Sequence, residues 1–211
     1  MKQQAEGLLI NVERSEGVLQ EKLILASKSQ RRAEILTAVG WPFETRPANI
    51  DETRKTDEDA VSYVKRLAQQ KAETIANGLA SGLVLGADTI VLIDAQILGQ
   101  PRDEEDARRM LKLLSDQWHD VLTGVALIHC GTNIPEGRVV VDYEVTRVRF
   151  AELSDEEINW YVASGEPMGK AGAYGIQGRA ALFIEEIKGD YFNVVGLPIR
   201  LVYELVGRIG Q

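Results

Sequence analysis

Asp88 interrupts an apolar, β-branched run, LVLGADTIVLI, over residues 83–93. An ionised carboxylate there is costly to bury unless it is paired, hydrogen-bonded or metal-bound. It could hold a divalent metal or take a proton from water as a general base. The plainer alternative is a strand-end Asp that accepts backbone N–H bonds, and the sequence alone leaves the two level. Thr89 follows on the opposite face of the strand and reads as structural.

A second candidate is Ser27-Lys28-Ser29-Gln30-Arg31-Arg32, where a short apolar strand, Leu23–Ala26, gives way to a helix. Free backbone amides and the positive end of a helix make an anion site. Cations clustered at that end oppose the helix dipole, and a bound anion removes the conflict. Arginine grips phosphate oxygens bidentately, so phosphate is the expected ligand and a solvated helix start the alternative. Asp51-Glu52, ahead of the next helix, reads as a solvated turn or cap, and Lys71 as a surface lysine. Gly169, Gly172, Gly175 and Gly178 punctuate a segment containing Lys170 and Gln177. They permit close backbone approach to a ligand. The spacing is not that of a P-loop and no helix follows, so a turning loop is an equally simple reading. His119, His129 and Cys130 read as packed or exposed, and Trp41, Trp118 and Trp160 as packing residues.

The elements that must position these groups follow from periodicity. A helix after Ser29 carries Ile35, Leu36 and Val39 on one face and stops at Gly40 and Pro42. A strand-like piece covers Phe43–Ala48. Thr56 and Asp57 are plausible caps for a long helix to about Ala76, striped by Val61, Val64, Leu67, Ala68, Ala72 and Ile75. Asp94-Ala95 is a turn, and Asp103 opens a helix with Ala107, Met110, Leu111 and Leu114 inward. Val121–Cys130 and Arg138–Phe150 read as strands, the second alternating through Val139, Val141, Tyr143 and Val145. Ser154-Asp155-Glu156-Glu157 is a capping box closed downstream by Gly165. Ala181–Ile187 and Tyr191–Val195 look strand-like, and Pro198 suits the start of a last helix. The expected architecture is α/β, a mixed sheet flanked by helices.

The chain has 211 residues, with 24 basic and 32 acidic side chains and a formal charge of −8. That length fits one domain, and a chain of this size can bury roughly 70% of its unfolded surface. One cysteine and two histidines exclude an internal disulfide and a Cys/His zinc cage. No apolar run reaches the length of a membrane span. The N-terminal stretch carries acids and no signal-type core, so residues 1–20 are expected to be an extension and the protein cytoplasmic. A pI near 5.0 argues against stable nucleic-acid binding.

In order along the chain stand LASKSQRRAEIL, YVKRLAQQKA, LGADTIV, ILGQPRDEEDARRML, Thr123-Gly124, KAGAYGIQG and GDYFNVVGLP. From about Leu23 to Val206 the sequence resembles the Maf family of nucleoside triphosphate pyrophosphatases. The resemblance implies an inosine-triphosphate-pyrophosphatase-like fold, two lobes with a cleft, with residues 21–211 as its single domain. It implies hydrolysis of a nucleoside triphosphate to the monophosphate plus pyrophosphate with a divalent cation, Mg or Mn. Asp88 becomes the expected general base and, with Glu52, a metal ligand. Ser27, Arg31 and Lys71 become substrate-binding residues. Arg32, Thr89 and Gln177 fall where substrate choice is made, and this trio resembles the dTTP/UTP subfamily. Gln100 and Lys170 are further candidates, and a homodimer is implied. The chain departs from the family pattern with Gln30 for proline, Gln100 for lysine and Gly169 for aspartate. The last two set out an alternative, a catalytically weakened nucleotide-binding or regulatory protein.

Overall fold

The computed structural model describes residues 23–131 and 134–209, so the expected extension 1–20 lies outside the described residues. A seven-stranded mixed sheet organises the chain, with strand order β2-β1-β3-β5-β6-β7 and β4 paired to β3. The strands are β1 (Leu23–Leu25), β2 (Phe43–Thr45), β3 (Gly82–Ile93), β4 (Gln96–Leu98), β5 (Trp118–Gly131), β6 (Ile134–Phe150) and β7 (Ile184–Lys188). β1 runs parallel to β2 and β3, whereas β3, β5, β6 and β7 pair antiparallel in succession. Helices α1 (Gln30–Ala38), α2 (Ala60–Ala76), α3 (Glu104–Leu114), α4 (Asp155–Ala163), α5 (Tyr191–Val195) and α6 (Ile199–Ile209) flank it. The expected mixed sheet with helices on its faces is what forms.

β3 is the axis of the molecule. Leu83, Leu85 and Ala87 pack with Val125 and Leu127 of β5 against Ile35 and Leu36 of α1 and the inner stripe of α6. The other face of β3 and β5 presents Val84, Ala126 and Ile128 to Ala68 and Ala72 of α2. Burial on both faces explains why β3 reads as a continuous apolar run rather than an alternating one.

α2 lies unusually close to the sheet because two glycines leave room for it. A Cβ on Gly86 would stand 2.1 Å from the Ala68 carbonyl oxygen, and one on Gly124 would stand 2.3 Å from that of Val64. Gly124 pairs directly with Asp88 in the β3–β5 ladder. The helix axis is thereby brought against the strand at the level of the buried carboxylate. A third apolar cluster joins α3 and α4 to Val91, Val121, Phe150 and Tyr174.

Several local expectations are corrected. α2 is capped by Asp59, whose carboxylate accepts the amides of Val61 and Ser62 at 2.9 Å, not by Thr56 or Asp57. Val39 is exposed at the C-cap of α1, and Arg32 joins Ile35 and Leu36 among the helix's buried residues. Along β6 the stripe of Val139, Tyr143 and Val145 is the more exposed face, and the buried residues Thr146, Val148 and Phe150 have the opposite parity. Tyr191–Val195 is a short helix, because Asp190 caps it by accepting the Phe192 amide at 2.7 Å. Residues 179–183 form a 3-10 turn, and strand pairing begins only at Ile184. The Ser154 capping box forms as read, with Glu157 reciprocating to the Ser154 amide.

Candidate active site

A cleft of about 700 Å³ opens beside the C-terminal end of β1 and the middle of β3. Ile176 and Val195 on its wall belong to one apolar cluster, and Val91, Val121 and Tyr174 to another. Two packed regions therefore meet at the cleft. Ser27, Arg31, Arg32, Glu52, Lys71, Asp88, Thr89, Gln100 and Gln177 all border this one cavity. Lys170 does not: its amine donates to the Glu166 carbonyl behind the glycine-rich loop.

The side chain of Asp88 points to α2, where Lys71 meets it. Lys71 Nζ donates to Asp88 Oδ1 at 2.6 Å and lies 2.8 Å from Glu52 Oε1. Lys71 is not the surface residue that its helical position implies. The glycine-permitted approach of α2 buries it to 8% exposure, as it buries Asp88. Burial pushes the Asp88 carboxyl above its usual range, and the Lys71 ammonium opposes that push. Glu52 stands on a half-open loop fixed by α2. The Tyr63 hydroxyl donates to the Glu52 carbonyl at 2.7 Å, and Arg66 holds Glu58 and the Thr53 carbonyl. The solvated turn read from sequence is thus tied to the carboxylate centre.

The start of α1 is open. Ser29 at the N-cap makes no side-chain cap bond, and the first turn carries no acid. Ser27 Oγ instead accepts the Ser29 amide at 3.1 Å. The cleft-lining segment from Ser27 to Arg32 thus joins an uncapped helix end to cations, the arrangement that binds anions. The two arginines have different jobs. Arg31 is partly buried, with Nε 3.4 Å from the Val195 carbonyl. Arg32 is a structural hub. Its guanidinium donates to Gly196 O at 2.7 Å, Ala87 O at 2.8 Å, Ser27 Oγ at 3.1 Å and Thr89 Oγ1 at 3.0 Å. Burial draws it below the ordinary arginine range, with nearby Asp88 acting in the other direction.

Thr89 is structural too, but its role is at the site. Its hydroxyl shares a 2.9 Å bond with Thr123 Oγ1, which also lies 3.3 Å from the Asn193 carbonyl. Asn193 is fully buried, and Nδ2 donates to Val121 O and Thr146 Oγ1. Residue-by-residue reading passes over Thr123, Asn193 and Gly196. The segments Thr123-Gly124 and GDYFNVVGLP were their only signal. Gln100 and Gly169 border the same cleft, and the Gly172 amide donates to the Gly99 carbonyl at 3.0 Å, joining their two segments.

The donor set suits a hard divalent cation in part. Glu52 and Asp88 offer carboxylate oxygens around one shared ammonium. Among the described residues no group of three or more His, Cys, Asp or Glu gathers to hold a metal. A cation there would fill its shell from phosphate oxygens and water, the usual state of magnesium at nucleotide sites.

Comparison with known proteins places the chain in a family. The model of the family described as Maf-like protein matches residues 22–209. A dTTP/UTP pyrophosphatase of Koribacter versatilis is 50% identical over 188 residues, 89% of this chain and 94% of that protein. One from Alkaliphilus oremlandii is 52% identical over 180 residues, 85% of this chain and 91% of its own. One from Bacillus cereus is 47% identical over 199 residues, 94% and 95% of the two chains. Among solved structures, the Staphylococcus aureus Ham1 protein aligns over 69% of this chain and 98% of its own, with 14% identity and a TM-score of 0.42. With a family model covering nearly every described residue, and relatives at about half identity over most of its length, this chain belongs to the Maf family.

Proposed function

We propose that this chain hydrolyses the pyrimidine nucleoside triphosphates dTTP and UTP to the monophosphate and pyrophosphate. The observation that carries the reading is the buried Lys71–Asp88 pair in a cleft that also holds the open N-terminus of α1. A carboxylate that can accept a proton and a donor-rich anion cradle are what attack on a phosphate ester or anhydride needs. The names of the relatives, dTTP/UTP pyrophosphatases, support the substrate.

In this reading the phosphates lie against the first amides of α1 with Ser27 and Arg31 beside them. Asp88 takes a proton from water, whose oxygen bonds to the α-phosphorus. The bond from that phosphorus to the oxygen bridging the β-phosphate breaks, and pyrophosphate leaves with the electron pair. Lys71 fixes the orientation of Asp88 and offsets negative charge beside it. Arg32 does not grip phosphate: it braces Ser27, Ala87, Thr89 and Gly196 into one wall. Gln177 offers an acceptor and a donor to the imide edge of uracil or thymine. Glu52 and Asp88 would hold a divalent cation, Mg or Mn, which when bound supplies charge neutralisation to the phosphate oxygens. The family resemblance extends the reading to a cytoplasmic homodimer, which light scattering and fractionation would test.

Gln100 and Gly169 favour a second reading, nucleotide binding without turnover. Relative to the family pattern one change removes a positive charge and the other a negative one. Both positions border the same cleft, so its summed charge is preserved. That supports the active reading. The test is pyrophosphate release from dTTP, UTP, CTP, GTP and 7-methyl-GTP with Mg²⁺, comparing wild type with Asp88→Asn. Turnover of dTTP and UTP that is lost in the variant is the expected result. Thermal stabilisation by a nucleotide with no pyrophosphate released would replace it with the second reading.

A further inference from the structure

The loop that brings Gln177 to the cleft has no ladder to hold it. It lies between a 3-10 turn at Ala171–Ala173 and another at Arg179–Phe183. Its anchorage comes instead from two residues outside the cleft, Tyr161 at the end of α4 and Glu166 just after it. Glu166 Oε1 accepts the Tyr161 hydroxyl at 3.1 Å, and Oε2 accepts the Arg179 amide at 3.1 Å. The same Tyr161 oxygen accepts the Gly175 amide at 3.3 Å, and the Glu166 carbonyl takes the Lys170 amine. One carboxylate and one phenol thus hold the loop at residues 175 and 179, on both sides of Gln177, and the Glu166 backbone carbonyl holds it at Lys170.

The packing is as specific as the hydrogen bonds. A Cβ on Gly178 would stand 2.2 Å from Glu166 Oε1. A side chain at residue 178 would displace that carboxylate. Tyr161 is fully buried, set edge-on to Phe183 at 5.4 Å between ring centres, so the phenol cannot swing away. Burial and the adjoining carboxylate hold its hydroxyl in the protonated form, which keeps it a donor to Glu166.

We propose that Glu166, acting through Tyr161 and the Arg179 amide, is a positioning residue that fixes the Gln177 loop and so sets the choice among pyrimidine bases. The inference rests on the reading of Gln177 as the group that meets the base edge. Glu166 does not line the cleft and makes its bonds to the loop and to Tyr161 rather than to Asp88 or Lys71. Its loss therefore acts on selection and on KM more than on kcat.

UTP and CTP differ only at the base edge, so the ratio of their kcat/KM values is the readout. Gln177→Ala should lower that ratio about tenfold, the worth of one hydrogen bond. Glu166→Ala should lower it by a similar factor, and the double variant no further, because both act on one contact. Glu166→Gln keeps one acceptor oxygen and should fall between. Amide hydrogen exchange supplies a readout independent of turnover: in Glu166→Gln and Tyr161→Phe the amides of Gly175 and Arg179 should exchange faster while those of β3 do not. Unchanged exchange at these amides overturns the proposal whatever the enzyme's substrate. So does a ratio that falls in Gln177→Ala but not in Glu166→Ala, or losses that multiply in the double variant. If Gln177→Ala itself leaves the ratio alone, the reading of Gln177 fails, and the assignment of Glu166 to base selection fails with it.

Discussion

Asp88 and Lys71 are carried by the middle of a twelve-residue strand and a seventeen-residue helix, whereas Gln177 is carried by a loop between two 3-10 turns. At the first end of the cleft, ladder bonds and a close helix–sheet contact fix the backbone that carries Asp88 and Lys71. At the second, side chains from elsewhere hold the backbone in place. In the proposed reading, the difference matches the demands on each end. Proton transfer needs a donor and an acceptor fixed to a fraction of an ångström. Base selection needs a contact that can be re-aimed by changing a few loop residues while the sheet stays intact.

The comparison breaks most visibly at the carboxylate end. Asp88→Asn should cut pyrophosphate release by ~10²–10⁴, the usual worth of a general base. Nucleotide should still raise the melting temperature. Full turnover in the variant would move the chemistry elsewhere in the cleft. Lys71→Met leaves Asp88 buried without its ammonium, a change worth about 3–5 kcal/mol unless the carboxylate escapes by taking up a proton. Lys71 is what opposes the burial-driven rise in the Asp88 pKa. Its removal should shift the acid limb of the kcat/KM profile to higher pH. A limb that does not move would mean that Asp88 is not the titrating base.

Smaller effects sharpen the contrast. Gly124→Ala places a methyl 2.3 Å from the Val64 carbonyl oxygen, so α2 must move. Overpacking of this kind costs about 1–3 kcal/mol. Denaturant unfolding should show that loss, and activity should fall with it because Lys71 rides on α2. The mildest test lies under the selective end. His119 is buried against Phe150, bonded through Nε2 to the Tyr174 hydroxyl at 2.8 Å, and burial lowers its pKa from 6.5 to about 4. The unfolded chain takes up this proton at a higher pH than the folded one. The His119 contribution to stability is therefore complete above about pH 6.5 and lost as the pH falls to about 4. The slope is at most ~1.4 kcal/mol per pH unit for one proton. His119→Phe should flatten stability measured between those two pH values. An unchanged profile would assign the acid sensitivity to the carboxylates.

The same contrast decides what could be read from the sequence. Asp88 was legible because a charge inside a β-branched run is an anomaly with few physical resolutions. The uncapped start of α1 was legible because its cations sit at the wrong end of a dipole. Lys71 and Glu52 were not legible from local pattern. Their importance depends on glycines in two other strands, Gly86 and Gly124, which let α2 approach. Only the family motifs brought them forward. The bracing bonds of Arg32 were not legible, because two of its acceptors, Ala87 and Gly196, are backbone carbonyls more than fifty residues away along the chain. Tyr191–Val195 reads as a strand because it is apolar and β-prone, while the signal that wins is the single capping bond from Asp190. The hydrogen bonds of Glu166 to Tyr161 and the Arg179 amide left no local trace in the sequence.

Arg32 and the Gly196 carbonyl are 164 residues apart in sequence, yet their 2.7 Å bond closes the cleft wall. Synthesis at ~5–20 residues per second separates their emergence from the ribosome by roughly ten to thirty seconds. Until the later residue emerges, β1 and α1 exist without the wall they brace. A truncation before residue 196 removes the carbonyl that Arg32 holds and leaves that side of the cleft unbraced.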